Sequence, residues 1–130
     1  MRIDHLALWT LDLEKTREFY VRYFDASSND KYINPKTGLE TYFLSFESGA
    51  RLEIMTRPEV LSLKQDYTKR SIGFTHFAFD LESRENVDNL TDKLFKDGYE
   101  IIGEPRVTGD GYYESVVLDP DGNIVELVCR

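Results

Sequence analysis

The sequence carries one motif twice, and this repeat restricts the fold more than any other feature. The chain has 2 histidines, and both stand at the same point of a repeated segment, Ile3-Asp4-His5-Leu6-Ala7-Leu8 and Phe74-Thr75-His76-Phe77-Ala78-Phe79. A glutamate closes each copy. Glu53 lies in Gly49-Ala50-Arg51-Leu52-Glu53-Ile54-Met55 and Glu126 in Gly122-Asn123-Ile124-Val125-Glu126-Leu127-Val128, each four residues beyond a turn glycine. Two imidazoles and two carboxylates are a donor set for a divalent metal.

The residues around the histidines alternate with the two-residue period of a strand. Over residues 3–9, Leu6 and Leu8 share one face, and His5, Ala7 and Trp9 the other. Residues 74–81 repeat the alternation, with Thr75, Phe77 and Phe79 opposite His76, Ala78 and Asp80. A helix is expected after each strand. Asp12 can cap residues 13–24, where Leu13, Tyr20 and Phe24 form a stripe, and Ser83 can cap residues 84–97, with Val87, Leu90 and Leu94, before Gly98 ends the helix.

Each copy then ends in strands. In the first, a short strand is expected near residues 31–33, then Tyr42–Glu47 and Ala50–Met55 joined by a tight Ser48-Gly49 hairpin. In the second, strands are expected at Tyr99–Gly103, Tyr112–Leu118 and 124–128, the last two joined by the turn Asp119-Pro120-Asp121-Gly122-Asn123. This is an α+β reading: two βαβββ units, residues 1–57 and 73–130, joined by a linker at 58–72 that holds at most one helical turn. At 130 residues the chain is one domain by length.

Charge and composition narrow the function. A net charge of -8 without a local cluster of lysine and arginine disfavours nucleic acid and leaves a small molecule as the expected partner. The single cysteine, Cys129, has no internal disulfide partner, and the N-terminal residues lack the apolar run of a signal peptide, so a reducing cytoplasm is expected. No apolar stretch reaches membrane-spanning length.

The strand faces decide where the four polar residues point. Glu53 shares its face with Arg51 and Met55, and Glu126 shares its face with Ile124 and Val128. A glutamate flanked by apolar residues in an inner strand is costly to bury unless it is paired or ligated. Taken singly, a strand histidine is more often a satisfied structural residue and a strand glutamate a solvated one. Four at matched positions of a repeat require a common cause, and a shared cation is one. Aromatic residues Tyr42, Phe43, Phe46, Tyr112 and Tyr113 are expected as core or as lining of the same concavity.

With these residues in view, the chain resembles the glyoxalase/bleomycin resistance/dioxygenase superfamily, the vicinal oxygen chelate proteins. The paired βαβββ units, the early histidines, the late glutamates and the segment Asp119-Pro120-Asp121-Gly122-Asn123-Ile124-Val125-Glu126 carry the resemblance over nearly the whole chain. It implies an open cup-shaped mixed β-sheet with helices packed outside. The acidic residue at Glu53 is closest to the glyoxalase I (lactoylglutathione lyase) branch, which implies His5, Glu53, His76 and Glu126 as ligands of one divalent metal, nickel, zinc, cobalt or manganese. That branch isomerises the hemithioacetal of methylglyoxal and glutathione to a 2-hydroxyacyl thioester through an enediolate. Glu126 is the favoured base and Glu53 its counterpart.

The resemblance also implies basic residues that hold glutathione's carboxylates, for which Arg17, Arg22, Arg51, Lys69, Arg70 and Arg106 are candidates. It implies a homodimer, with the cup built within one chain or across two. Related activities are the alternatives: an acyl-thioester epimerase, a thiol transferase to fosfomycin, a dioxygenase, or a drug- or metabolite-binding protein without turnover.

Overall fold

Each half of the chain runs strand, helix, strands, as the repeat predicts. The computed structural model describes residues 1–63, 66 and 69–130, which divide into two units, Met1–Leu63 and Lys64–Arg130. In the first unit β1 (His5–Trp9) is followed by α1 (Leu13–Phe24), β2 (Ser27–Ser28), β3 (Tyr32–Asn34), β4 (Leu39–Ser45) and β5 (Arg51–Thr56). In the second, β6 (His76–Asp80) is followed by α2 (Arg84–Lys96), β7 (Ile101–Val107), β8 (Tyr113–Leu118) and β9 (Ile124–Cys129).

The helices begin where local chemistry dictates. The Asp12 carboxylate accepts from the Lys15 amide at 3.0 Å, and the Ser83 hydroxyl accepts from the Asn86 amide at 3.2 Å. Both satisfy backbone donors that the first helical turn leaves orphaned. α1 ends at Asp25 in the left-handed conformation (φ 51), and α2 ends before Gly98, whose φ of 91 suits a residue without a Cβ.

Both sheets have the same topology. The first strand of each unit pairs in parallel with its last: the orders are β1-β5-β4-β2, with β3 also on β4, and β6-β9-β8-β7. α1 lies over β4 and β5, and α2 over β7, β8 and β9. Between helix and sheet the first unit buries Phe19, Tyr20, Leu44, Leu52 and Ile54, and the second Val87, Leu94, Val117, Val125 and Leu127. The α+β class follows, as two mixed sheets with one helix each.

Several local expectations need correction. Ser48-Gly49 is not a two-residue hairpin, because β4 stops at Ser45 and β5 starts at Arg51; Gly49 keeps the positive φ of 86 within this longer loop. Ser27–Ser28 was not expected as a strand. Since Ser28 lies opposite Leu44 and Tyr32 opposite Thr41, β2 and β3 are one outer strand interrupted near Asn29. The Asn29 side chain bridges the break by accepting from the Phe43 amide at 2.8 Å. The outer strand of the second unit is irregular too: β7 shifts register on either side of Gly103, where a Cβ would lie 2.9 Å from Val116 Cγ2. β7 also continues to Val107, beyond the expected end at Gly103.

Leu6, Leu8, Phe77 and Phe79 point away from the histidines, but they are half-buried rather than fully covered. The reason is that β1 and β6 are edge strands while each helix sits over the inner strands. The helical turn expected in the linker falls partly on residues 64, 65, 67 and 68, outside the described residues. Among the described residues, no helix is long and apolar enough to cross a membrane.

This difference in burial has a measurable consequence. Leu127→Ala, at a fully buried position, should cost about 2–5 kcal/mol of stability, and Leu6→Ala at the sheet edge clearly less, by urea denaturation. Equal losses would contradict the placement of the core.

Candidate metal centre

The parallel pairing of first and last strands brings each histidine to its glutamate. In the first unit the register places Ala7 opposite Glu53 and His5 opposite Arg51; in the second it places Ala78 opposite Glu126 and His76 opposite Ile124. The two registers are the same. In each, the glutamate faces an alanine across the strands, and the small methyl group leaves the space into which the imidazole two residues earlier leans. A diagonal neighbour of this kind is within reach of long side chains.

The distances match as well. His5 Nε2 lies 3.7 Å from Glu53 Oε2, and His76 Nε2 lies 3.3 Å from Glu126 Oε2. Exposure is equally symmetric, 41% and 18% for the first histidine and glutamate, 42% and 18% for the second. The structure thus brings the four sequence-predicted residues together two by two, one pair in each unit, on the sheet face opposite the helix. Neither pair gains a third histidine, cysteine, aspartate or glutamate as a metal-holding group among the described residues.

The donor set fits a divalent cation. Nitrogen and oxygen donors bound about 2.1 Å from one ion stand roughly 3.0–3.4 Å apart, close to the spacing in each pair. A carboxylate and a neutral imidazole, each aimed at the other without a good mutual hydrogen bond, are satisfied together by a positive ion.

The second unit also has a concavity of about 460 Å³ beside Glu126, lined by Ala78, Asp80, Asp110, Tyr112, Glu114 and Val128, with Arg130 at its wall. Burial pushes the Glu126 carboxyl above the ordinary glutamate value, opposed by the nearby His76 and reinforced by Glu114 and Asp110. The Arg130 guanidinium lies over the Tyr112 ring at 4.6 Å. Arg106 reaches Glu114 at 3.1 Å.

Of the basic residues expected to hold a substrate's carboxylates, Arg17 and Arg22 lie on α1, the side away from the pair. Arg17 Nε donates to Ser28 Oγ at 2.9 Å, and Arg22 covers the Tyr23 ring. Arg51 is beside the first pair but is held by Asp4; Lys69 pairs with Asp66. Tyr42 is core rather than lining, its hydroxyl donating to Glu14.

Sequence reasoning missed the partners of the imidazole Nδ1 atoms, Asp4 at 2.9 Å from His5 and Thr75 at 3.2 Å from His76. The available signal was their shared place, immediately before each histidine, with a polar side chain in both copies.

Comparison with known proteins identifies the family. The family model described as the Glyoxalase/Bleomycin resistance protein/Dioxygenase superfamily matches residues 2–127. The chain is 29% identical to the uncharacterized protein YqjT of Bacillus subtilis (strain 168), covering 98% of each. It is 31% identical to a lactoylglutathione lyase of Arabidopsis thaliana over 99% of this chain, but spans 44% of the length of that plant enzyme. Among solved structures, the trypanothione-dependent glyoxalase I of Leishmania major superposes with a TM-score of 0.78 at 25% identity, over 99% of this chain and 86% of that one.

The raised Glu126 carboxyl sets a direction for stability. An acid whose folded-state pKa is raised favours folding when protonated, and that contribution is lost as pH rises through the folded value. In metal-free protein, Glu126→Gln should therefore gain stability relative to wild type as pH rises from below the ordinary glutamate value of 4.5 toward neutrality. Denaturation midpoints across that range test this, and a difference independent of pH would refute the burial of the carboxylate.

Proposed function

The chain belongs to the Glyoxalase/Bleomycin resistance protein/Dioxygenase superfamily, and on that premise we propose that it is a metal-dependent lyase of the glyoxalase I type. Its substrate on this reading is the hemithioacetal formed by methylglyoxal and a small thiol, glutathione or another. The observation that carries the reading is the His–Glu pair occurring twice in one register. His5, Glu53, His76 and Glu126 together make the four-ligand set for one divalent ion, nickel, zinc, cobalt or manganese. The homodimer and the cytoplasmic setting expected from the sequence belong to the same proposal.

A divalent cation held by these four residues would supply Lewis acidity that stabilises the negative charge developing on the substrate oxygens. The remaining work falls to the protein. Glu126 removes the proton from the carbon that carries sulfur and returns it to the neighbouring carbonyl carbon. With the hydroxyl proton lost from the first oxygen and gained by the second, the hemithioacetal becomes a 2-hydroxyacyl thioester of the same composition. Glu126 suits this role because burial raises its carboxyl, which brings its proton affinity nearer to working pH. It also borders the concavity of the second unit, where a thiol adduct has room. Glu53 stands as its counterpart, and His5 and His76 would hold the cation.

Two measurements test the proposal. Purified protein stripped with chelator should bind about one divalent ion per four-ligand set, and His5→Ala or His76→Ala should weaken that binding at least tenfold. Binding unaffected by both changes would remove the ligand assignment. Metal-loaded protein should form thioester from methylglyoxal and glutathione, read as the rise in thioester absorbance, and Glu126→Gln should abolish turnover while the circular dichroism of the fold is kept. A failure with all four metals and with other low-molecular-weight thiols would reject the substrate class while leaving the metal site standing.

A further inference from the structure

Each imidazole faces its glutamate, at 3.7 Å in the first unit and 3.3 Å in the second, but the two rings are not held in the same way. Asp4 immediately precedes β1, and its Oδ2 lies 2.9 Å from His5 Nδ1. The same oxygen is 2.5 Å from Arg51 Nη2, and the Arg51 amide donates to the Asp4 carbonyl at 3.0 Å. The register that places His5 opposite Arg51 makes this a closed arrangement across β1 and β5. Arg51 in turn lies 4.5 Å over the Phe43 ring, and the His5 ring meets the same phenyl at 5.4 Å and 84°. The imidazole is therefore fixed at its Nδ1 edge by a carboxylate and beside its plane by an aromatic ring.

Among the described residues, the second unit has no such arrangement. Ile124 stands opposite His76 where Arg51 stands opposite His5, and the residue before the histidine is Thr75, whose hydroxyl lies 3.2 Å from His76 Nδ1. A carboxylate only accepts, so the 2.9 Å contact with Asp4 requires the hydrogen on His5 Nδ1, whereas Glu53 at 3.7 Å lies beyond hydrogen-bond distance of Nε2; in the neutral ring Nε2 then carries the lone pair. A hydroxyl donates or accepts with equal ease, so Thr75 leaves the His76 tautomer open.

We propose that Asp4 is a positioning residue that commits His5 to the Nδ1–H tautomer and so presents Nε2 as a ready metal donor. This rests on the reading of His5 as a metal ligand. A carboxylate behind a ligating imidazole orients the ring and increases its basicity, and loss of such a partner costs about 10–100-fold in metal affinity.

The test has two readouts, the first of which needs no metal. In metal-free protein at about pH 8, long-range proton–nitrogen spectra should show His5 as the Nδ1–H tautomer, and Asp4→Ala should shift it toward a mixture. In calorimetric titration with zinc, Asp4→Ala should weaken binding about 10–100-fold. Asp4→Asn, which keeps a carbonyl acceptor, should recover much of the loss, and Thr75→Val should change little. Circular dichroism establishes that the variants remain folded. His5 found as Nε2–H in the wild type, or Asp4→Ala binding zinc like the wild type, would overturn the proposal. If the wild type binds no divalent ion the metal reading falls, and the tautomer spectrum still decides whether Asp4 sets the ring.

Discussion

The parallel contact between the first and last strand of each unit is the constraint on which the rest of the arrangement depends. β1 on β5 and β6 on β9 join residues far apart in sequence, and only this contact brings a histidine near the start of a unit to a glutamate near its end. A shift of one residue would turn every side chain of the strand to the other face. Leu6 or Phe77 would then replace the imidazole beside the glutamate, and a polar ring would enter the helix-packed layer. The apolar alternation that buries Leu52, Ile54, Val125 and Leu127 is therefore what holds the His–Glu pairs in register.

Much of this was legible in the sequence because the signals were local. Asp12 and Ser83 cap their helices as expected, and the Asp119 carboxylate organises its turn by accepting from the amides of Asp121 and Asn123. Where the sequence misled, the cause was an interaction that local pattern does not encode. Ser48-Gly49 looks like a two-residue hairpin, but pairing of Leu44 with Leu52 opens a wider loop. Ser27 and Ser28 have no strand pattern of their own and are drawn onto β4, with Asn29 supplying from its side chain a hydrogen bond that the broken backbone cannot. The half-burial of Leu6 and Phe79 follows from which strands the helices cross, a property of tertiary packing.

The pairing of His5 with Glu53 and of His76 with Glu126 was readable from the repeat, since matched residues on matched strands face the same way. The differences between the two copies were not. Asp4 and Thr75 occupy the same position, yet one is tied to an arginine across the strands and the other is not. That distinction depends on what lies opposite each histidine, which the register supplies and the order of residues does not.

The closure of each unit by its first and last strands also bears on the order of events during folding. Contacts between distant segments form late, after the entropy of closing the intervening chain has been met. The caps and the inner antiparallel strands draw on nearer residues, so each His–Glu pair is among the last features of its unit to assemble. In a chain emerging from the ribosome, the first pair requires only the residues through β5, whereas the second waits for β9. The repeated unit therefore lets the two His–Glu pairs assemble in turn, the first once β5 is available and the second only with β9.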